Sequence, residues 1–137
     1  MSAGFYYREY DESDHAMISE WWKSHSFPVL SKETLPKTGI IIEHGEDPVA
    51  AGFVYLSDST VGWVEWIVSN PKANPLVRAR AIPILIEELC LAAREKGCKM
   101  VITALEHPKL IDRLLKSGYV QGDVGMTHLI RRFDLCP

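Results

Sequence analysis

The stretch that most restricts how this chain can fold is one long helical pattern set between two strand-like runs. Ile82, Leu85, Ile86, Leu89 and Ala93 recur at intervals of three and four residues, down to about Lys96. That spacing lines one face of an α-helix. Val61 to Ser69 precedes it and Lys99 to Ala104 follows it, both apolar and of strand length. A strand, a helical crossover and a second strand of this size fold with the two strands parallel and the crossover right-handed. Gly97 then stops the helix where a left-handed residue is favoured.

Upstream, the punctuation differs. Phe5 to Tyr10 reads as a short aromatic strand. Asp11-Glu12-Ser13-Asp14 supplies a helix start, with Met17, Ile18, Trp21 and Trp22 as the stripe of a helix over Asp14 to Ser24. Ser26 to Lys37 contains Pro28 and Pro36 and reads as loop with one short helical turn. Thr38–Glu43, Val49–Leu56 and Val61–Ser69 are separated only by short polar connectors, which predicts an antiparallel meander. Downstream, Pro108 opens a helix with Leu110, Ile111, Leu114 and Leu115 inward, ending at Gly118. Tyr119–Gln121 and Met126–Arg132 are expected to close the sheet as a last antiparallel pair.

The fold expected is therefore α/β (α+β): a mixed, mainly antiparallel sheet of six to seven strands with a central parallel pair and three to four helices. One domain over residues 1–137 accommodates it. The chain is 47% hydrophobic and 24% charged, with a net charge of −3, which excludes a basic nucleic-acid footprint. An anionic ligand must then be held by a local patch. Cys90, Cys98 and Cys136 have no metal-ligand or disulfide-framework spacing, and His15, His25, His44 and His128 are scattered, so no metal is expected. No run reaches the roughly 18 apolar residues of a membrane helix, and Met1 to Tyr10 lacks the apolar core of a secretion signal. A cytoplasmic setting is expected, with neither nucleic acid nor membrane as partner.

The element order resembles the GNAT acetyltransferase superfamily over about Phe5 to Phe133. The resemblance also rests on Glu65-Trp66-Ile67-Val68-Ser69-Asn70-Pro71, the helix end Ala93-Arg94-Glu95-Lys96-Gly97-Cys98, and the turn Leu114-Leu115-Lys116-Ser117-Gly118-Tyr119-Val120. It implies acetyl-CoA as co-substrate. The fourth and fifth strands would splay, and the backbone of Ile67, Val68 and Ser69 would pair with the pantetheine arm. The pyrophosphate would sit on amides ahead of the long helix, at Val77, Arg78, Ala79, Arg80, Ala81 and Ile82, where free N–H groups and the helix dipole favour an anion. The family's loop carries glycines that this chain lacks. Counting back from Gly97 puts those positions near Arg80 and Ile82, and a one-residue shift puts Ala79 and Ala81 there. Arg78 and Arg80 read either as phosphate ligands that offset the loss or as solvated surface charges. Pro83 is expected in the helix's first turn.

Acetyl transfer needs a neutral amine, and a partly desolvated carboxylate suits that task. Glu65 stands alone in an apolar strand, and alternation places it on one face with Trp63 and Ile67, opposite Val64, Trp66 and Val68. It reads as the general base, or as a carboxylate paired for structure. The family's general-acid Tyr corresponds to Leu114, and its helix-start asparagine to His107, which also reads as a helix cap. Trp21, Trp22, His25 and Phe27 would form the acceptor wall if they are not core. The resemblance thus implies an N-acetyltransferase acting on a small-molecule or peptide amine. A GNAT-fold binding or structural module without turnover is the alternative, and a homodimer stays open in either case.

Overall fold

In the computed structural model, which describes residues 3–133, the apolar runs become strands close to where they were expected. β1 (Phe5–Glu9), β2 (Gly39–His44), β3 (Asp47–Leu56) and β4 (Val61–Ser69) form the antiparallel meander. β5 (Met100–Thr103) runs parallel to β4, giving the order β1-β2-β3-β4-β5. The helices are α1 (His15–Ser24), α2 (Pro75–Glu95) and α3 (Pro108–Lys116). The chain divides into two compact units, one up to Ala104 and one from Leu105.

The first unit contains the whole sheet, with apolar clusters on both faces. Ile40, Ile42, Val54 and Val64 pack with Ala81, Leu85, Leu89 and Ala93 of α2. Ile41, Ala51, Phe53 and Val68 pack with Ile18, Trp21 and Trp22 of α1. Burial on both sides explains why Gly39 to Ile42 reads as a continuous apolar run rather than an alternating one. Leu85, Ile86 and Leu89 are fully buried, each stabilising by about 1.5–3 kcal/mol.

The entry to α1 is fixed by charge. Asp11 accepts the Ser13 amide and Asp14 accepts the Asp11 amide, each at 2.9 Å, in a reciprocal cap. Arg8 of β1 donates two bonds of 2.9 Å to Asp14 and holds that carboxyl below its ordinary range. His15 donates to the Leu30 carbonyl and tethers the loop after α1.

Gly39 is required by a close approach. A Cβ there would lie 2.6 Å from the Phe53 ring and 2.9 Å from Tyr10 Cβ. Its absence lets Phe53 lie between Tyr10, edge-on at 4.9 Å, and Trp22 at 6.5 Å. Gly39→Ala is expected to cost about 1–3 kcal/mol by overpacking, measured as a lower urea midpoint at unchanged slope.

Two expectations are corrected here. α2 starts at Pro75, roughly two turns before Ile82. Asn74 accepts the Leu76 amide at 2.8 Å and Pro75 takes the first helical position, a strong start signal that periodicity alone passes over. Pro83 accordingly lies inside the helix, not in its first turn. The second correction concerns the second unit, where no residue from 117 to 133 adopts strand geometry, so the sheet has five strands rather than six to seven. Among the described residues of that segment no β ladder forms, and pairing is what realises a β preference. Val120 and Leu129 are 92% and 91% exposed. Cys136 lies outside the described residues, and no helix among those described is long and apolar enough to cross a membrane.

Candidate active site

The ladder between β4 and β5 is short. It joins Val61 to Met100, Gly62 to Val101, Trp63 to Ile102 and Val64 to Thr103, where β5 ends. From Glu65 to Ser69, β4 has a strand partner on the β3 side only. Beyond that point β4 runs on after β5 has ended, so the ladder shows no splay of two paired strands.

At the same point β4 carries a bulge. Ala51 faces Val68 and Phe53 faces Glu65, so the single residue Gly52 opposes both Trp66 and Ile67. Trp66 has φ 61°, in the left-handed region. That costs a bulky residue about 1–3 kcal/mol unless its surroundings enforce it. A Cβ on Gly52 would meet Leu89 at 2.9 Å and Ile67 at 3.2 Å, so glycine lets α2 close over the bulge.

The bulge reverses the alternation expected beyond Glu65. Ile67 packs on the α2 side with Val64, whereas Trp66 and Val68 pack on the α1 side. Glu65 shares that α1 side, being directly opposite Phe53, and Trp63 shares it opposite Tyr55. Glu65 therefore stands with Trp63, Trp66 and Val68, not with Ile67.

Its setting is aromatic. The Trp63 indole donates to the Glu65 carboxylate at 2.8 Å. The Trp66 indole donates to the Tyr55 hydroxyl at 2.8 Å, and that hydroxyl donates to the Thr34 carbonyl at 2.8 Å. Burial pushes the Tyr55 phenol up; the Trp66 bond pulls it back, and the Glu65 charge adds to the rise. The Glu65 carboxylate is half-buried beside these rings. Tyr55 and Trp66 escape sequence reasoning because only the register of β3 on β4, and the bulge, bring them to Glu65.

The turn into α2 differs from a loop of free amides. Asn70 holds the Lys72 amide through its side chain and the Ala73 amide through its carbonyl. Asn74 holds those of Leu76 and Arg78, and Pro75 has none to donate. Ala79, Arg80, Ala81 and Ile82 lie within the helix, so their amides belong to its own ladder. Residues two apart on a helix do not share a face, so Arg78 and Arg80 diverge. Arg78 lies three and seven residues before Ala81 and Leu85 of the buried stripe and is half-buried; Arg80 is exposed. At the end of β4, the Ser69 carbonyl accepts from His25 Nε2 at 2.9 Å, so one acceptor expected to meet the pantetheine arm is in use. His107 belongs to the second unit and caps α3, accepting the Leu110 amide at 3.4 Å.

Among the residues expected as an acceptor wall, Trp21 and Trp22 are core, 5% and 1% exposed. His25 stacks on Phe27 at 5.5 Å, and Phe27 is exposed. A cleft of about 390 Å³ lies at the β4–α2 turn itself, lined by Asn70, Lys72, Asn74 and Val77 together with His44 and Asp47. It is separate from the Glu65 face. Among the described residues, no three His, Cys, Asp or Glu side chains converge as a metal site would require.

Element order and one parallel step in an otherwise antiparallel sheet give this chain the fold of the GNAT acetyltransferases. An acetyltransferase from Trypanosoma brucei superposes with a TM-score of 0.61 at 21% identity, over 92% of this chain and 99% of the other. The ribosomal-protein-S18-alanine N-acetyltransferase of Escherichia coli gives 0.66 at 13% identity, over 87% and 79%. The aminoglycoside N-acetyltransferase AAC(6')-Iy in complex with CoA gives 0.57 at 13%, over 96% and 98%. No protein-family model and no curated sequence matches the chain. At these identities the shared property is the fold.

Proposed function

We propose that this chain, acting as one domain, is an N-acetyltransferase that moves the acetyl group of acetyl-CoA to a primary amine. The observation that carries the reading is the stretch Glu65–Ser69 of β4, which has no strand partner on the β5 side, beginning at a half-buried carboxylate and ending near the start of α2. An extended pantetheine arm has amide groups that can pair with that open main chain through Ile67, Val68 and Ser69, as an added strand does. The diphosphate then lies by the first turns of α2, Val77 to Ile82, where the dipole favours negative charge. With the amides of this turn largely committed, the Arg78 side chain supplies the main bond to phosphate and Arg80 a weaker, solvent-screened one.

In the reaction, Glu65 takes a proton from the incoming ammonium, directly or through water. The neutral nitrogen attacks the thioester carbonyl, the new C–N bond forms, and the C–S bond breaks. CoA leaves as a thiolate that is protonated to the thiol. Leu114 stands where the family's acid would be and is a buried hydrocarbon, so the proton returned to sulfur comes from water or from the acceptor nitrogen. A cytoplasmic site of action goes with this reading, since the Cys98 thiol is unbridged and such thiols persist in reducing compartments.

Thermal melts test the cofactor step. CoA or acetyl-CoA at a hundred times its dissociation constant is expected to add about 2.7 kcal/mol of stability, and a control nucleotide is not. Arg78→Ala is expected to weaken CoA binding by about ten- to a hundredfold, the range for a bond to a charged group, and Arg80→Ala by less. No shift at millimolar CoA would remove the reading. The committed amides and the absent acid favour a second one, in which the fold serves as a binding module without turnover; CoA binding without acetylation of any amine would select it.

A further inference from the structure

We infer that Tyr55 is the positioning residue of the β4 bulge: its hydroxyl ties the Trp66 indole to the loop after α1 and so holds Trp66 in the left-handed geometry that sets Ile67 to Ser69 for a cofactor arm. The part played toward a cofactor rests on the proposed acetyl transfer; the tie itself does not.

Residue and backbone are mismatched at Trp66. In a bulge of the left-handed kind, the first of the two opposed residues is normally glycine, which has no Cβ to strain. Here that residue is Trp66 at φ 61°, with Ile67 second and Gly52 facing both. A tryptophan persists in that geometry only where its surroundings over-determine it. The ladder to β3 is not enough, because a glycine would satisfy it with less strain. What the indole adds is packing in the α1-side cluster and one directional bond, donated to the Tyr55 hydroxyl at 2.8 Å.

Tyr55 can anchor Trp66 because it is itself anchored. Its ring lies cross-strand from Trp63, where β3 and β4 are in regular register. Its one proton goes to the Thr34 carbonyl at 2.8 Å, which leaves a lone pair for the indole. Burial pushes the phenol up, so that proton stays in place at neutral pH. Thr34 is no free end either. The loop is held at Leu30 by His15 and at Thr38 by the Val54 amide at 3.0 Å, and Ser31 meets the Thr34 hydroxyl at 2.9 Å. A chain of N–H, O–H and C=O groups thus runs from bulge to loop, and bonds in such a chain strengthen one another.

The bulge matters at the end of β4. The Asn70 amide donates to the Val49 carbonyl at 2.7 Å, so antiparallel alternation turns the Ser69 N–H and C=O to the β5 side. If Trp66 relaxed to extended geometry, one end of β4 would slip by a residue against β3 and turn such groups over. Tyr55 prevents the slip without touching the cofactor stretch.

The full chain without cofactor is measured first. A left-handed residue brings its amide and α protons close, so wild-type Trp66 is expected to give a strong intraresidue NOE. Tyr55→Phe removes only the hydroxyl. It is expected to weaken that NOE and to move the Trp66 indole N–H signal, which Trp66→Phe assigns. In melts with CoA, Tyr55→Phe is expected to weaken binding about two- to tenfold, the range for one hydrogen bond. Trp66→Gly added to Tyr55→Phe is expected to regain most of that loss, because glycine takes the left-handed geometry untied. Trp66→Asn, the next most tolerant choice, takes its place if the glycine variant does not fold. An unchanged Trp66 NOE in Tyr55→Phe, or a loss of CoA affinity that neither second substitution repairs, would overturn the inference. Absence of CoA binding in the wild type sinks the transferase and leaves the tie to stand or fall on the NOE.

Discussion

Glu65→Gln is expected to lower kcat for amine acetylation by about a hundred- to ten-thousandfold, the range for removal of a positioned general base. That corresponds to about 2.7–5.4 kcal/mol of transition-state stabilisation. The substitution keeps shape and keeps an oxygen to accept the Trp63 indole, whose bond to the native carboxylate is 2.8 Å. The fold and the CoA-dependent melt should therefore be retained, and the loss should fall on turnover. Raising the pH should restore part of the rate, because a larger fraction of amine is then neutral without help. A variant that kept wild-type kcat at neutral pH while still binding CoA would show that Glu65 is a structural carboxylate and that the proton leaves by another route.

Phe53→Ala is expected to destabilise the first unit by about 3–5 kcal/mol, the cost of emptying a buried aromatic site. Phe53 is fully buried, lies between Tyr10 and Trp22, and covers the bare backbone of Gly39. It is also the cross-strand neighbour of Glu65, so the floor beneath the candidate base would be lost with it. Denaturant unfolding measures the effect. A cost below about 1 kcal/mol would mean that neighbours collapse into the space. Unlike Glu65→Gln, this change should lower stability and activity together.

The contrast between these residues also shows what a sequence discloses. The β4 bounds, the meander and the parallel step were legible because apolar runs and polar connectors encode them directly. Periodicity alone fits Trp21 and Trp22 to either core or wall, and burial decides for core. The start of α2 was misplaced although Asn74-Pro75 announces it, since the apolar stripe begins later than the helix does. The last strands were inferred from β-favouring residues, and such preferences count only where a partner strand is present. The face of Glu65 was legible up to Glu65 itself and inverted beyond it. A bulge is a property of two strands in register, and β4 read alone does not contain it. Tyr55 came to the site by the same route, through pairing with Trp63.

The extra residue in β4 acts as a phase shift along the strand. A strand in step with its neighbour shows every second side chain to one side, so a carboxylate and the next ring in sequence would point apart. With the phase advanced at Trp66, Glu65 and Trp66 present together, and Val68 joins them three positions on. Acid, ring and apolar support thus come from three residues within one four-residue stretch of a single strand, and their spacing is set by main-chain geometry.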